Sequence, residues 1–523
     1  MRSTDLLWRA ATRLARVVAL CTVVLATASG AKHPRYGGTL RIELREAALS
    51  FDPRTWRPGT LESAASEKLA ALLFDRLVAL DNHGHFRPQL ASEWAHDSES
   101  RRWQFHLREG VKFSDDSPLT ALDVAAALQP LLPSGIQVSG TGNAITLLSS
   151  RPLPDALELL ASGPFFIYGT ARGGTLVGTG PFFVAETSSS NSELKTIRYV
   201  LKANEACWSG RPFVDAIELS LGLPALRRLL DWQLGKADLI EVAPELVRRA
   251  RQESLRVWAS APVITYALRI DTVQPAGSNA ALREALSHSL DRATVANVLL
   301  QKQAEPAATL LPQWLSGYAF LFDVDTNLER AKELRATLPS GLASGWQPLH
   351  LQIEAPGELA KLVAERVAVN ARQAGIGVQV LSRPMQREGS TTPATGSGPT
   401  LHLFAWHVES LSPRIELDTL LKSMAITEPT GTNANGADVS QVFNRERQIM
   451  AERTIFPIVS LPEYTGIGAN VRNWLPSPWG EWHLADVWLD STESNAAETS
   501  AAPDSRVTNS RPAVSPAASG AKP

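Results

Sequence analysis

The sequence predicts an α/β protein built from more than one structural unit. Three observations lead there. The chain has 523 residues, too many for one ordinary hydrophobic core, so two or three units are expected. Alternating apolar segments of strand type recur between segments with helical spacing. One stretch, "LHLQIEAPGELAKLVAERVAVNARQAGIGVQVLS" from Leu349, reads strand, helix, strand, which implies a parallel crossover.

The elements follow in order. "TLRIEL" from Thr39 alternates as a strand, and the Asp52-Pro53 pair marks the turn after it. From Ser63 to Leu80, the residues Leu69, Leu72, Leu73 and Leu77 recur at helical spacing and predict a helix across the stretch. Trp103, Phe105 and Leu107 alternate as a strand. Asp115-Asp116 makes a turn, and Thr120 is the expected N-cap of a helix with Asp123 at its third position. Strands return at "AITLLS" from Ala144 and "IRYVLKA" from Ile197. "LREALSHSLDRATVANVLL" predicts two helices, with Asp291 capping the second. In the crossover, Leu359, Leu362, Val363 and Val367 form the expected buried face, and Gly375 the stop.

The two ends read differently from the body. Arg2, Arg9, Arg13 and Arg16 precede the apolar run "VVALCTVVLATA" and the small residues Ala26 to Ala31. This is the pattern of a cleaved export signal over residues 1–31. The run is too short to span the ~30 Å core of a bilayer. Cys21 follows Leu20 and has most of the apolar run after it, so it makes no convincing lipidation site. Cys207 is then the one cysteine left, and an internal disulfide is ruled out. The polar loop Arg387 to Thr400 and the tail 491–523, rich in Ala, Ser, Pro and Thr, are expected to be unstructured.

Hydrophobic residues are 44% and charged residues 20%, with a formal net charge of −2. That balance suits an ordinary soluble domain. No basic stripe is present, so nucleic acid is not an expected partner.

One region carries a resemblance. "RLVALDNHGHFRPQLASEWAHDSESRRWQFHLREGVKFSDDSPLTALDV" resembles the signature of the family 5 extracellular solute-binding proteins, the periplasmic receptors for oligopeptides, dipeptides and nickel chelates that feed ABC importers. The pattern is met by Pro88, Leu90, Ala91 and Trp94, then by Phe105, Leu107, Arg108, Gly110, Val111 and Phe113. Asp115, Leu119, Thr120, Ala121, Asp123 and Val124 continue it. Asp116 departs from it, standing where a turn glycine is usual, although aspartate tolerates the left-handed conformation better than most residues. "GTGPFFV" from Gly178, "NEACWSGRPFVDAIEL", "GKADLIE" and "LREALSHSLDR" are similar to further family segments, in the family's order. Cys207 stands where a tyrosine is common. The likeness runs from about Tyr36 to Trp488.

The resemblance implies a two-lobe periplasmic-binding-protein fold of type II, with an additional domain inserted in the first lobe. Lobe one is expected at 36–58, 178–266 and 463–490, the inserted domain at 59–177, and lobe two at 267–462. It further implies a non-catalytic, monomeric receptor in the periplasm. That receptor would close on a short peptide or similar zwitterion and deliver it to ABC permease subunits.

The resemblance also marks a site. In peptide-binding members a tryptophan, two residues, an aspartate, three residues and a proline follow a lobe-two strand, and the aspartate receives the peptide's ammonium group. Trp406, Glu409 and Pro413 match that spacing, with glutamate in place of aspartate. A buried carboxylate can pair with an ammonium through charge-assisted hydrogen bonds. The segment "TWRPGTLES" is expected to line the cleft from the other lobe, with Gly59 in it and Arg57 facing a ligand carboxylate. His407 is expected to border the ligand. Trp406 is read as a packing residue with one face on the cleft.

Rival readings are weaker. "SELK" at Ser192 to Lys195 matches the Ser-x-x-Lys of serine acyl-transferases, but it opens a polar loop and its partner motifs are missing. No phosphate loop and no His-Glu-x-x-His appears, so neither a catalytic residue nor a cofactor is expected. The resemblance places His83, His85, His96 and His106 on surface turns and a strand of the inserted domain, so they are read as surface residues, with no metal site. A haem or metal-chelate receptor, or a relative that has stopped transporting, is the alternative.

Overall fold

The computed structural model describes residues 33–189, 196–323, 326–338, 348–381, 400–426 and 438–490. The export signal, the Ser192–Lys195 motif, the tail and nearly all of the Arg387–Thr400 loop lie outside these residues. An eleven-stranded sheet organises them. Its first half holds, in spatial order, Phe182–Ser189, Ile197–Ala203, Ala216–Leu221, Thr39–Glu43 and Leu239–Glu241. Thr39–Glu43 is parallel to both of its neighbours. The long strands Ile455–Ile467 and Arg256–Ile270 follow as an antiparallel pair. Beyond them lie Leu401–His407, Leu349–Ile353 and Val378–Leu381. The short strand Glu305–Pro306 pairs with Ile455–Ile467 off this path.

Apolar side chains collect on both sides of the long pair. One core runs from Leu40 and Ile42 through Phe105 and Phe166 to Trp482. A second runs from Leu268 and Leu286 through Val367 to Phe456. A smaller one joins Trp406 to Leu417, Leu420 and Tyr318. Because two main cores share one sheet, the long strands form the connection between them.

The expected crossover is present. Leu349–Ile353 and Val378–Leu381 are parallel and joined by the helix Glu358–Gln373, and Gly375 follows at φ +79°. The buried face is rotated from the expected one. Ala360, Val363, Ala364, Val367 and Ala371 point inward, whereas Leu362 is exposed. Small alanines allow the helix to sit close to the sheet, and the larger leucine takes the flank.

The helix expected from Ser63 to Leu80 is shorter, Leu61–Ala70. The carbonyls of Leu72 and Leu73 accept from the N–H groups of Phe182 and Gly180 instead of continuing the helix. A Cβ on Gly178 would stand 1.9 Å from the Leu73 carbonyl, so only glycine permits this approach. The same junction buries Asp75, which accepts from Thr179, Trp208 and Gln89, each at 2.7 Å. The "GTGPF" and "NEACWSG" segments thus meet on one carboxylate.

A four-stranded antiparallel sheet holds Ala91–His96, Arg102–Leu107, Ala144–Ser149 and Ile136–Thr141. Trp103, Phe105 and Leu107 all point inward. Asp116 sits at φ +66°, the left-handed position where a glycine is usual. Thr120 and Asp123 form the reciprocal capping box of the helix Ala121–Leu128. Asp291 caps its helix by accepting from the Thr294 N–H, after which the chain widens into a π turn, Val295–Leu299.

Candidate ligand-binding site

The strand Leu401–His407 pairs with the long strand Arg256–Ile270, placing Trp406 opposite Thr265 and His407 opposite Ile264. Neighbouring strand residues point to opposite faces, so Trp406 and His407 serve different sides. Trp406 is only 2% exposed, and its indole Nε1 has no hydrogen-bond partner among the described residues. The chain then turns sharply. The N–H groups of Glu409 and Ser410 both donate to Glu416 Oε2, each at 3.0 Å. Ser412 caps the helix Pro413–Ser423, with Pro413 at its first position. This turn places the Glu409 carboxyl.

The facing segment is equally constrained. Asp52 caps a 3₁₀ turn at Pro53–Thr55, and the Trp56 indole donates to the Ser50 carbonyl at 2.8 Å. The Arg57 N–H donates to Ser63 Oγ at 2.8 Å. Gly59 follows at φ +82°, in the left-handed region that glycine alone enters without strain. Thr60 then caps the helix Leu61–Ala70.

These two segments touch. The Gly59 N–H donates to Glu409 Oε1 at 2.7 Å, and the His407 N–H donates to the Gly59 carbonyl at 3.0 Å. One residue of the chain, Gly59, thus donates to the Glu409 carboxylate and accepts from the His407 backbone. Glu409 Oε2 receives no hydrogen bond among the described residues. A second link joins Arg414 to Asp155 at 2.6–2.7 Å.

Charges gather behind the junction. Glu409 is half-buried. Burial, reinforced by Glu67 and Glu416, holds its carboxyl well above the usual carboxylate range, and the Gly59 N–H and Arg76 only partly oppose this. Glu416 is fully buried, which pushes it up to about 8 despite the two N–H groups it accepts from. Burial raises Glu67 to about 7 although Arg76 pairs with it. Glu463 goes the other way. Burial would raise it, but the Lys68 ammonium and His407 outweigh this and hold it at about 2. His407 Nε2 lies 3.4 Å from Glu463 Oε1.

Beside the junction lies a cavity of about 1270 Å³ whose walls include Trp56, Arg57, Gly59, Phe404, Trp406 and Glu409. Four of the five residues singled out in the sequence therefore border one space. His407 turns to the other face of the strand and lines a separate cavity. Glu67, Lys68, Glu416 and Glu463 were not visible as site residues. Their segments carry no local motif, and only the fold brings them to Glu409 and His407. His83 and His85 lie on a turn whose N–H groups donate to Asp81.

A sheet with two cores, joined by a pair of long strands and carrying a charged, bridged cleft, defines a two-lobed binding protein. The model of bacterial extracellular solute-binding proteins, family 5 Middle, matches residues 85–425, and the chain belongs to that family. It is a family of binding receptors, not of enzymes. The nickel-binding periplasmic protein of Escherichia coli is 24% identical over 60% of this chain and 66% of its own length. Heme-binding protein A of Haemophilus influenzae is 22% identical over 83% of this chain and 89% of its own. Among solved structures, the periplasmic binding protein DppA of Helicobacter pylori, in complex with peptide STSA, superposes with a TM-score of 0.71 at 18% identity. That match covers 88% of this chain and 99% of the other. Among the described residues no helix is long and apolar enough to cross a membrane.

Proposed function

We propose that this chain is the exported, periplasmic receptor of an ABC importer. It takes a short peptide or similar zwitterion into the interlobe cleft and passes it to membrane permease subunits. Lobe one comprises 36–58, 178–266 and 463–490, the inserted domain 59–177, and lobe two 267–462. The observation that carries the reading is Glu409, whose Oε1 already meets an N–H donor from the facing segment while Oε2 accepts no hydrogen bond among the described residues. A ligand ammonium takes the place of the Gly59 N–H or joins it at Oε2. Trp406 packs below, and Arg57 stands on the same cavity wall for a ligand carboxylate. The segment at Gly59 opens to admit the ligand, and closure follows a hinge in the long strands.

The test is calorimetric titration with free di- to pentapeptides beside the same peptides N-acetylated. Free peptides bind and acetylated ones do not. Glu409→Gln weakens binding by roughly 10- to 150-fold, the worth of a hydrogen bond to a charged group. Equal binding of both peptide sets rejects Glu409 as the anchor, and no binding of either rejects peptides.

The aromatic wall of Trp56, Phe404 and Trp406 also suits a flat ligand, and one relative is a heme-binding protein. A haem titration followed by visible absorbance decides this second reading.

A further inference from the structure

A row of leucines faces outward on the helix Ala225–Gln233. Leu226, Leu230 and the C-terminal cap residue Leu234 are 63%, 46% and 58% exposed. Side chains four apart lie one above the other on a helix, so the three form one continuous apolar strip. The fold does not need them. The inner face of the same helix buries Arg228, Leu229 and Trp232. Leu229 and Trp232 already share a core with Val247 and Ala250 of the helix Pro244–Gln252. Single exposed leucines are ordinary, but a contiguous strip marks an interaction surface.

The charges around the strip select its partner. The whole chain carries 51 basic and 53 acidic side chains. Over residues 225–253 the exposed ones divide differently. Arg227, Lys236, Arg248, Arg249 and Arg251 are basic, and only Glu245 and Glu253 are acidic. Gln233 donates to Glu253, which pairs with Arg249 at 3.0 Å, so the second helix sets Arg249 beside the end of the strip. Arg227 reaches the buried Asp231, whereas Lys236, Arg248 and Arg251 form no ion pair among the described residues.

An apolar strip edged by arginine and lysine is the pattern of a helix that lies in the surface of an anionic bilayer. A second copy of this chain fits less well, because two-fold pairing through the strip sets the same basic side chains against each other. The tail 491–523 fits no better, since it contains no leucine, isoleucine or aromatic residue.

We propose that the helices Ala225–Gln233 and Pro244–Gln252 form a docking face for an anionic phospholipid surface. Leu226, Leu230 and Leu234 enter the headgroup layer, and Lys236 and Arg249 face the lipid phosphates. Contact is peripheral and reversible, since three leucines fall far short of an anchor. Pro224 and Ala225, at the start of the strip, line the cavity on the His407 face, so docking holds that cavity close to the lipid. An exported receptor meets such a surface beside its permease, and in that respect alone the docking face rests on the function proposed above.

The experiment is flotation of residues 32–523, because the apolar run ahead of them binds lipid by itself. Vesicles of phosphatidylcholine with about 30% phosphatidylglycerol are compared with phosphatidylcholine alone. At millimolar lipid and low salt the chain floats with the anionic vesicles and not with the neutral ones, and ~0.5 M NaCl releases it. Lys236→Gln and Arg249→Gln each weaken binding about fivefold. Leu226→Gln combined with Leu234→Gln weakens it about tenfold. These side chains are exposed, so the variants keep the wild-type melting temperature. No peptide or permease is present, so the outcome is independent of whether Glu409 anchors a solute. The proposal is overturned if the chain floats with neither vesicle or equally with both, or if the leucine or the charge variants float as wild type does. Sedimentation equilibrium without vesicles tests the rival. A dimer that is lost in the leucine variant assigns the strip to a second copy and overturns the lipid face.

Discussion

Glu409 forms no ion pair among the described residues, and this determines what its ligand has to bring. Burial and the neighbouring carboxyls of Glu67 and Glu416 keep it prone to protonation. An arriving ammonium favours the ionised form and draws the pKa down. Binding therefore releases a proton. Titrations in two buffers of different ionisation enthalpy will give different apparent heats, and that difference will vanish in Glu409→Gln. Peptide affinity rises with pH through the raised Glu409 range, until the peptide's own amino group begins to lose its proton near pH ~8. Gly59 is the other decisive residue. At φ +82° an alanine meets strain of about 1–2 kcal/mol, and the two bonds to Glu409 and His407 loosen with it. Ligand-free Gly59→Ala is expected to show a larger radius of gyration in X-ray scattering than the wild type. An unchanged radius means that this bridge does not hold the cleft shut.

Individual elements were read from sequence with uneven success, for reasons that lie in their surroundings. The capping box at Thr120 and Asp123 was legible because both partners are local. Replacing Thr120 by alanine is expected to cost about 1 kcal/mol in denaturant unfolding. The turn at Asp116 was also legible, and its φ of +66° makes the expected direction of Asp116→Gly clear. The glycine variant should melt higher, by the equivalent of about 0.5–1 kcal/mol. The helix beginning at Leu61 could not be bounded from its leucines alone. Its expected continuation past Ala70 gives way to hydrogen bonds from Gly180 and Phe182, more than a hundred residues later in the chain. The crossover helix was placed correctly but rotated, because alanines rather than Leu362 make its closest approach to the sheet.

At the scale of the whole molecule, buried carboxyls give stability a pH dependence that depends on the assembled junction. The Glu416 pKa is raised from 4.5 to about 8 in the folded chain. The folded state therefore binds a proton that the unfolded state has already lost. The stability this group contributes is complete below the unfolded pKa and is lost as pH climbs through the folded value. Glu67, raised to about 7, adds to the same trend. Glu416→Gln removes its share, so its melting temperature relative to wild type should climb between about pH 5 and pH 9. A flat difference would show that Glu416 keeps an ordinary pKa.

The sequence by itself determined the α/β class, the family, and the local devices at Asp116, Thr120 and Asp291, since periodicity, turn chemistry and ordered motifs are written in neighbouring residues. It also marked Glu409, Trp406 and Gly59, but only through the resemblance to the family's motif. The tertiary structure alone decided that Gly59 occupies Glu409 Oε1, that His407 turns away to a second cavity, and that Glu67 and Glu416 crowd one carboxyl. The physical reason is that desolvation and electrostatic coupling depend on distance through space. Residues some 350 positions apart in the chain acquire their chemistry only when the fold brings them together.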